Sequence, residues 1–266
     1  MKIVDVHTHC FPDHLAERAM EKLTDLSYQK PFHNGTVAGL LNSMDEAGIY
    51  KSIVQSIATK PDQVENILNW SIKIKSERIE PFISIHPESK NYIEILKKAK
   101  DNGIKGLKVH PHYQGFNADD EKIFFMYETF CKFNLIVLFH SGEDLAFPGC
   151  DNASTERMLK VKEKFPEMKI ILAHYGAYRE WDKVYELLAG KDLYFETSFI
   201  LEEAGEEMFK KIMGKHSDNK IMFGTDSPWT DQKNAVQLLK NLSISEESKA
   251  KIFYKNIENL LNSVSS

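Results

Sequence analysis

The sequence predicts an α/β fold, a (β/α)8 TIM barrel formed as a single domain from residues 1–266. Three observations predict it. Eight short apolar stretches, beginning near residues 2, 51, 79, 104, 135, 168, 192 and 220, read as strands, and helical stretches separate them. These strands are apolar on both faces, as a covered parallel sheet requires, and eight such units in about this length suit a barrel. The rival, a doubly wound open sheet, usually carries a Gly-rich turn after its first strand. Neither G-x-G-x-x-G nor G-x-x-x-x-G-K-[ST] occurs here.

Taken in order, residues 2–6 are short, apolar and β-branched, as a buried strand should be. The strand ends in His7-Thr8-His9, and Cys10-Phe11-Pro12 breaks the pattern. Residues 13–26 have helical spacing, and Pro31 and Gly35 mark a loop. Thr36 reads as the N-cap of a helix that runs to Ala47 and stops at Gly48. This first connection is longer than a barrel needs, so part of residues 10–35 is expected to cover a site. Strands at 51–56, 79–85, 104–109, 135–139, 168–173, 193–198 and 221–224 follow. Helices are expected at 61–76, 91–102, 119–133, 153–165, 179–189, 204–213 and 232–240, with two more before the polar tail.

A net charge of −5 and a pI near 6.1 argue against a polyanionic partner such as nucleic acid. The three cysteines, Cys10, Cys131 and Cys150, are odd in number and scattered, which suits a reducing, cytoplasmic setting and not a disulfide framework. No signal-peptide pattern is seen, and no apolar run approaches the ~20 residues that would span a bilayer. A small-molecule partner and a homodimer stay open at this point.

In a barrel the active site forms at the carboxyl ends of the strands. Those ends carry His7 and His9, Ser56, His86, Lys108 and His110, His140, His174, Thr197 or Ser198, and Asp226. With His112 beside them, seven of the ten histidines fall in this set, leaving His14, His33 and His216 outside it. Structural histidines would not track strand ends in this way. Side chains alternate along a strand, so Asp5, His7 and His9 should share a face. By the same count Ile136, Leu138 and His140 share one, as do Ile170, Leu172 and His174, Met222, Gly224 and Asp226, and Lys108 and His110. If these faces point inward, the polar tips meet at the barrel mouth.

Asp5-x-His7-x-His9, His140, His174 and Asp226, in that order on strands one, five, six and eight, resemble the metal signature of the amidohydrolase superfamily. The local runs Ile3–His9, Gly106-Leu107-Lys108-Val109-His110-Pro111 and Phe223-Gly224-Thr225-Asp226-Ser227-Pro228-Trp229 are similar to its amidohydrolase-related branch, sometimes called amidohydrolase 2. That branch also contains metal-dependent decarboxylases such as the aminocarboxymuconate-semialdehyde type. The resemblance implies that His7, His9, His140 and Asp226 surround a metal, with Zn²⁺ suited to imidazole and carboxylate and one position left for water. One ion per chain is favoured and two are open. Asp226 would be the general base for the metal-activated water. His174 would ligate a second metal or steady developing charge on the substrate. Asp5 would be a buried acceptor, one layer below the histidines on the same face.

Lys108 reads in two ways. A carboxylated lysine on strand four bridges two metals in some superfamily members, whereas an unmodified one would pair with a substrate carboxylate, the reading favoured here. His110 and Trp229 join it as substrate-binding candidates. His112 and His86 are as easily structural. Tyr113, Phe116, Tyr175, Tyr178 and Trp229 are aromatics near the mouth that would line a pocket. Cys10 reads as a small buried residue and not a nucleophile.

The leading function is therefore a metal-dependent hydrolase of a C–N or C–O bond in a small carboxylate-bearing substrate. The alternative is a non-oxidative, metal-dependent decarboxylase on the same scaffold. A metal-dependent deoxyribonuclease of a related branch is disfavoured, because strand four offers Lys108 where that branch carries a glutamate. A barrel that has lost catalysis would not keep the whole ligand set.

Overall fold

Eight parallel strands form the centre of the computed structural model, which describes residues 1–264. They are β1 (Val4–Thr8), β2 (Lys51–Gln55), β3 (Ile79–Phe82), β4 (Gly106–Val109), β5 (Ile136–Phe139), β6 (Lys169–Leu172), β7 (Tyr194–Glu196) and β8 (Ile221–Met222). Continuous ladders join β1 to β3 and β4 to β8. Backbone hydrogen bonds stitch the two runs together. Between β3 and β4, Ile83 N donates to Gly106 O at 3.2 Å and Lys108 N to Ile83 O at 2.7 Å. Between β8 and β1, Val6 N donates to Phe223 O at 2.9 Å, Asp226 N to His7 O at 2.7 Å and His9 N to Ser227 O at 2.6 Å. The eight predicted strands are all present, and the order runs once around a barrel.

The helices are α1 (Asp13–Ser27), α2 (Val37–Ala47), α3 (Val64–Ile74), α4 (Tyr92–Asp101), α5 (Pro111–Gln114), α6 (Phe124–Lys132), α7 (Thr155–Lys164), α8 (Trp181–Lys183), α9 (Gly205–His216), α10 (Gln232–Asn241), α11 (Glu246–Ala250) and α12 (Asn256–Asn262). Local chemistry sets their ends. Thr36 Oγ1 accepts from Gly39 N at 2.9 Å and Gly48 closes α2 with φ 72°, as the sequence predicts. The helix expected from residue 179 starts later, because Arg179 is left-handed at φ 59°, and after α8 it widens into the π turn Val184–Leu188. Helix α5 was not expected. It starts at Pro111, where proline is tolerated, directly after β4.

Two apolar layers surround the strands. The inner one takes Val4, Val6, Ile53, Phe82, Ile136, Leu138, Ile171, Ala173 and Met222, together with Ile257, Leu260, Leu261 and Val264 from the C-terminal segment. Helix α12 and Val264 thus pack against the inner side chains at the end of the barrel away from the histidines. The outer layer holds the alternate residues, such as Val54, Leu107, Val109, Val137, Phe139, Ile170, Leu172 and Phe223, packed on the helices. Strand β4 offers no apolar inner residue. Its inner positions are Gly106, whose added Cβ would stand 2.5 Å from the Phe82 ring, and Lys108.

The face assignments hold for β5 and β8 and fail for β1 and β6. On β1 the pairing register jumps between Asp5 and Thr8. Such a bulge moves every later side chain by one face. Val4 and Val6 therefore point inward, Asp5 points outward, and His7 and His9 still reach the mouth. Asp5 is a buried acceptor as expected, but on the opposite face from the histidines. It accepts from His7 N at 3.1 Å, Thr225 N at 3.1 Å, Thr225 Oγ1 at 2.6 Å and Gln232 Nε2 at 2.8 Å. Burial pushes its carboxyl up to about 7 even against these donors. On β6 the inward residues are Ile171 and Ala173, not Ile170 and Leu172. His174 reaches the mouth because it and Tyr175 are left-handed, at φ 59° and 57°, and turn the chain back over the barrel.

Candidate metal centre

Three electron-pair donors converge at the mouth from opposite ends of the chain. His7 Nε2 lies 3.1 Å from Asp226 Oδ1 and 3.1 Å from His9 Nε2, and His9 Nε2 lies 3.0 Å from the same carboxylate oxygen. The far nitrogens of both rings are engaged. His7 Nδ1 contacts Glu196 Oε1 at 2.9 Å and His9 Nδ1 contacts the Gln55 carbonyl at 2.8 Å. Both partners are acceptors, so each Nδ1 carries the proton and each Nε2 presents its lone pair. Two lone pairs and a carboxylate facing one focus repel one another unless a cation lies between them. This donor set, with its outer acceptors, is that of a divalent metal site.

The electrostatics agree. Burial, with Lys108 nearby, holds the His7 imidazole well below its ordinary 6.5, in the neutral form that ligates. Burial alone would raise the Asp226 carboxyl, but His7 and His9 outweigh it and hold it down at about 2. Asp226 is itself left-handed at φ 60°, as is Phe199 at 64°. With His174, these non-glycine outliers line the mouth, where strained backbone commonly marks function.

Lys108 stands beside the group, with Nζ 3.1 Å from His7 Nε2, and is 1% exposed. Burial brings its ammonium down to about 8, against the pull of Asp226 and Glu196. His174 Nδ1 meets Ser198 Oγ at 2.8 Å, and its Nε2 lies 3.2 Å from His140 Nδ1. The structure gathers His7, His9 and Asp226 into one group and sets His140 behind His174. His140 Nε2 contacts the Glu143 carbonyl at 3.1 Å, and its ring stacks on His110 with centroids 4.2 Å apart. His174 also groups with His7 and Glu196 closely enough to share an ion.

His7, His9, Lys108, His110, His140, His174 and Asp226 open into one cavity of about 900 Å³. Lys108, His110, Tyr113, Tyr178 and Trp229 line it, whereas Phe116 and Tyr175 are packed in the core. Phe11, Leu15, Arg18 and Leu26, from the first connection, also line it, so that segment covers the site as expected. Cys10 lines the cavity floor but is buried, and burial raises its thiol to about 12.

Two residues escaped the sequence reading. Glu196 is fully buried at the end of β7 and serves four groups: His7 Nδ1, His174 N at 2.7 Å, Ser198 N at 2.8 Å and Ser198 Oγ at 2.7 Å. The signal was an acid inside the apolar run of β7. Asp144 lies in the loop after His140, 3.3 Å from His110 Nε2. The signal there was an acidic pair, Glu143-Asp144, three and four residues past the strand-end His140.

The family model described as amidohydrolase matches residues 4–262 of the chain. No curated protein matches the sequence. Among solved structures, an uncharacterized TIM-barrel protein from Bordetella bronchiseptica superposes with a TM-score of 0.82 at 18% identity, covering 100% of both chains. A 2,6-dihydroxybenzoate decarboxylase from Rhizobium gives 0.72 at 14% identity, covering 98% of this chain and 99% of that one. A 5-carboxyvanillate decarboxylase from Novosphingobium aromaticivorans, solved with manganese and 3-methoxy-4-hydroxy-5-nitrobenzoic acid, gives 0.75 at 13% identity, covering 98% and 97%. No helix among the described residues is long and apolar enough to cross a membrane.

Proposed function

The chain belongs to the amidohydrolase family and is a metal-dependent enzyme, and from that premise we propose that it is a non-oxidative decarboxylase of a small aromatic or unsaturated carboxylic acid. The observation that carries this reading is Lys108, a buried ammonium fixed at the rim of the His7–His9–Asp226 group. A cation with no carboxylate bonded to it in such a place suits a substrate acid. The likeness of the fold to decarboxylases of hydroxylated benzoates supports the same choice.

In this proposal His7, His9 and Asp226 would hold one divalent ion, and His140, which stands outside that group beside His174, would complete the site by turning toward it. A bound ion supplies positive charge that polarises a substrate oxygen. Zn²⁺ and Mn²⁺ both suit two imidazoles and a carboxylate. Lys108 pairs with the substrate carboxylate, while His110, Tyr113 and Trp229 flank a flat ring. As the C–C bond breaks, CO₂ leaves without the bonding pair. That pair takes a proton delivered through His174 or Asp226, so one proton is consumed per turnover.

The hydrolytic reading, cleavage of a C–N or C–O bond with Asp226 as general base, draws on the ionised state of Asp226. One experiment separates the two. The purified protein is assayed for CO₂ release from hydroxybenzoates and unsaturated acids, and for hydrolysis of amides, lactams and lactones. The assays are repeated after chelation and after return of Zn²⁺ or Mn²⁺. Metal-dependent CO₂ release is expected. Hydrolysis without CO₂ release would overturn the proposal, as would activity that survives complete removal of metal.

A further inference from the structure

A second histidine–carboxylate cluster lies next to the first, and the proposal above makes no use of it as a unit. His110 and His112, flanking the start of α5, each present a ring nitrogen, and Asp144 presents a carboxylate oxygen. These three atoms lie within 4.8 Å of one another. The two imidazoles are each 5% exposed. Both leave Nδ1 buried without a hydrogen-bond partner. An unpaired buried polar atom costs about 1–3 kcal/mol, and the one on His112, whose other nitrogen is engaged, calls for a cause.

The surroundings point to a ligand. His112 Nε2 lies 3.4 Å from the Cys150 carbonyl, which can only accept. That contact places the proton on Nε2 and leaves the Nδ1 electron pair free, the arrangement that prepares a histidine for metal. Asp144 Oδ1 is held by Ala146 N at 2.8 Å, while Oδ2 faces imidazoles, at 3.3 Å from His110 Nε2 and 3.7 Å from His140 Nε2. The 3.3 Å spacing is long for a charge-assisted hydrogen bond. It is the separation of two ligands that share a tetrahedral ion with bonds of about 2.0–2.1 Å.

We propose that His110, His112 and Asp144 form a second divalent-cation site, distinct from the His7–His9–Asp226 focus and independent of a carboxylated Lys108. The site has a mixed donor set of two borderline imidazoles and one hard carboxylate, which suits Zn²⁺ among common ions. It lies on the wall of the same cavity, since His110 and Asp144 both line it. The inference stands whether the enzyme decarboxylates or hydrolyses.

The test is metal stoichiometry, with Zn²⁺ alone as the probe and no substrate. Metal-free full-length protein is titrated with Zn²⁺ by calorimetry, and bound metal is counted after equilibrium dialysis. Two equivalents per chain are expected for the wild type. His112→Ala and Asp144→Asn should each lose one equivalent, while His9→Ala should lose the other. A wild type that saturates at one equivalent overturns the proposal without any variant. Two equivalents that persist in both His112→Ala and Asp144→Asn overturn it too, since the second ion would then lie elsewhere. Co²⁺ titration gives an independent reading, with two spectral steps in the wild type and one in His112→Ala.

Discussion

Glu196 Oε1 and His7 Nδ1 meet at 2.9 Å where neither is reached by solvent. The same oxygen accepts from the backbone nitrogen of His174, so one carboxylate on β7 orients an imidazole from β1 and the turn after β6. Outer acceptors of this kind fix the tautomer of a ligating histidine and typically matter 10- to 100-fold for metal affinity.

Glu196→Gln should therefore weaken metal binding roughly 10- to 100-fold while preserving the fold. The affinity is read by competition with a chromogenic chelator. Unchanged affinity would show that Glu196 serves only the backbone of the β6 turn. Gly224→Ala should act in the same direction, because its added Cβ would stand 2.2 Å from Glu196 Oε2 and displace the carboxylate.

Lys108→Met keeps a linear side chain and removes the charge. If Lys108 binds the substrate carboxylate, the loss is that of a hydrogen bond to a charged group, about 1.5–3 kcal/mol, or roughly 10- to 150-fold. It should appear chiefly in KM for the acid, with metal content unchanged. A variant that loses metal and keeps its KM would return Lys108 to the role of a metal bridge.

His216 gives a pH prediction away from the site. Its ring stacks on Phe195 at 3.8 Å, and its Nδ1 accepts from Gly190 N at 3.2 Å. Burial lowers its pKa from 6.5 to about 4. The unfolded chain takes up this proton below about 6.5 and the folded chain only near 4, so acid favours unfolding across that window. The fall from 6.5 to about 4 amounts to ~3 kcal/mol, fully lost once the pH is below both values. Urea midpoints measured between pH 7.5 and 4.5 should fall less steeply in His216→Gln than in the wild type. Parallel curves would refute the assignment.

Gly106→Ala tests the barrel interior. The new Cβ would stand 2.5 Å from the Phe82 ring and 2.8 Å from the Ile136 carbonyl. Overpacking of this kind typically costs about 1–3 kcal/mol. The melting temperature should fall, and Phe82→Leu on the same background should restore part of it. A variant as stable as the wild type would mean that β4 shifts to make room.

The strands, their order and the polar residues at their tips were legible because hydrophobic periodicity and strand-end histidines are local signals. Facing was legible only where the backbone stayed regular. Counting by twos works on β5 and β8. It fails on β1, where a bulge between Asp5 and Thr8 shifts the register, and at β6, where His174 steps into left-handed space. Neither departure is written in the alternation of apolar residues. Glu196 stayed hidden for a different reason. Its partner His7 is 189 positions away, so its value lies wholly in a tertiary contact. Asp144 is similar, since its loop acquires meaning only when α5 brings His110 and His112 beside it.

The seam between β8 and β1 has a consequence for metal loading. Its hydrogen bonds run through His7, His9 and Asp226 themselves, and Asp5 clasps Thr225 across 220 positions. The metal focus is thus assembled from β1 and the residues after β8, the first and last strands of the barrel. A nascent or prematurely terminated chain that lacks residue 226 has imidazoles but no focus. Metal affinity at that focus is therefore coupled to closure of the barrel, because the three donors meet only where β8 seals against β1.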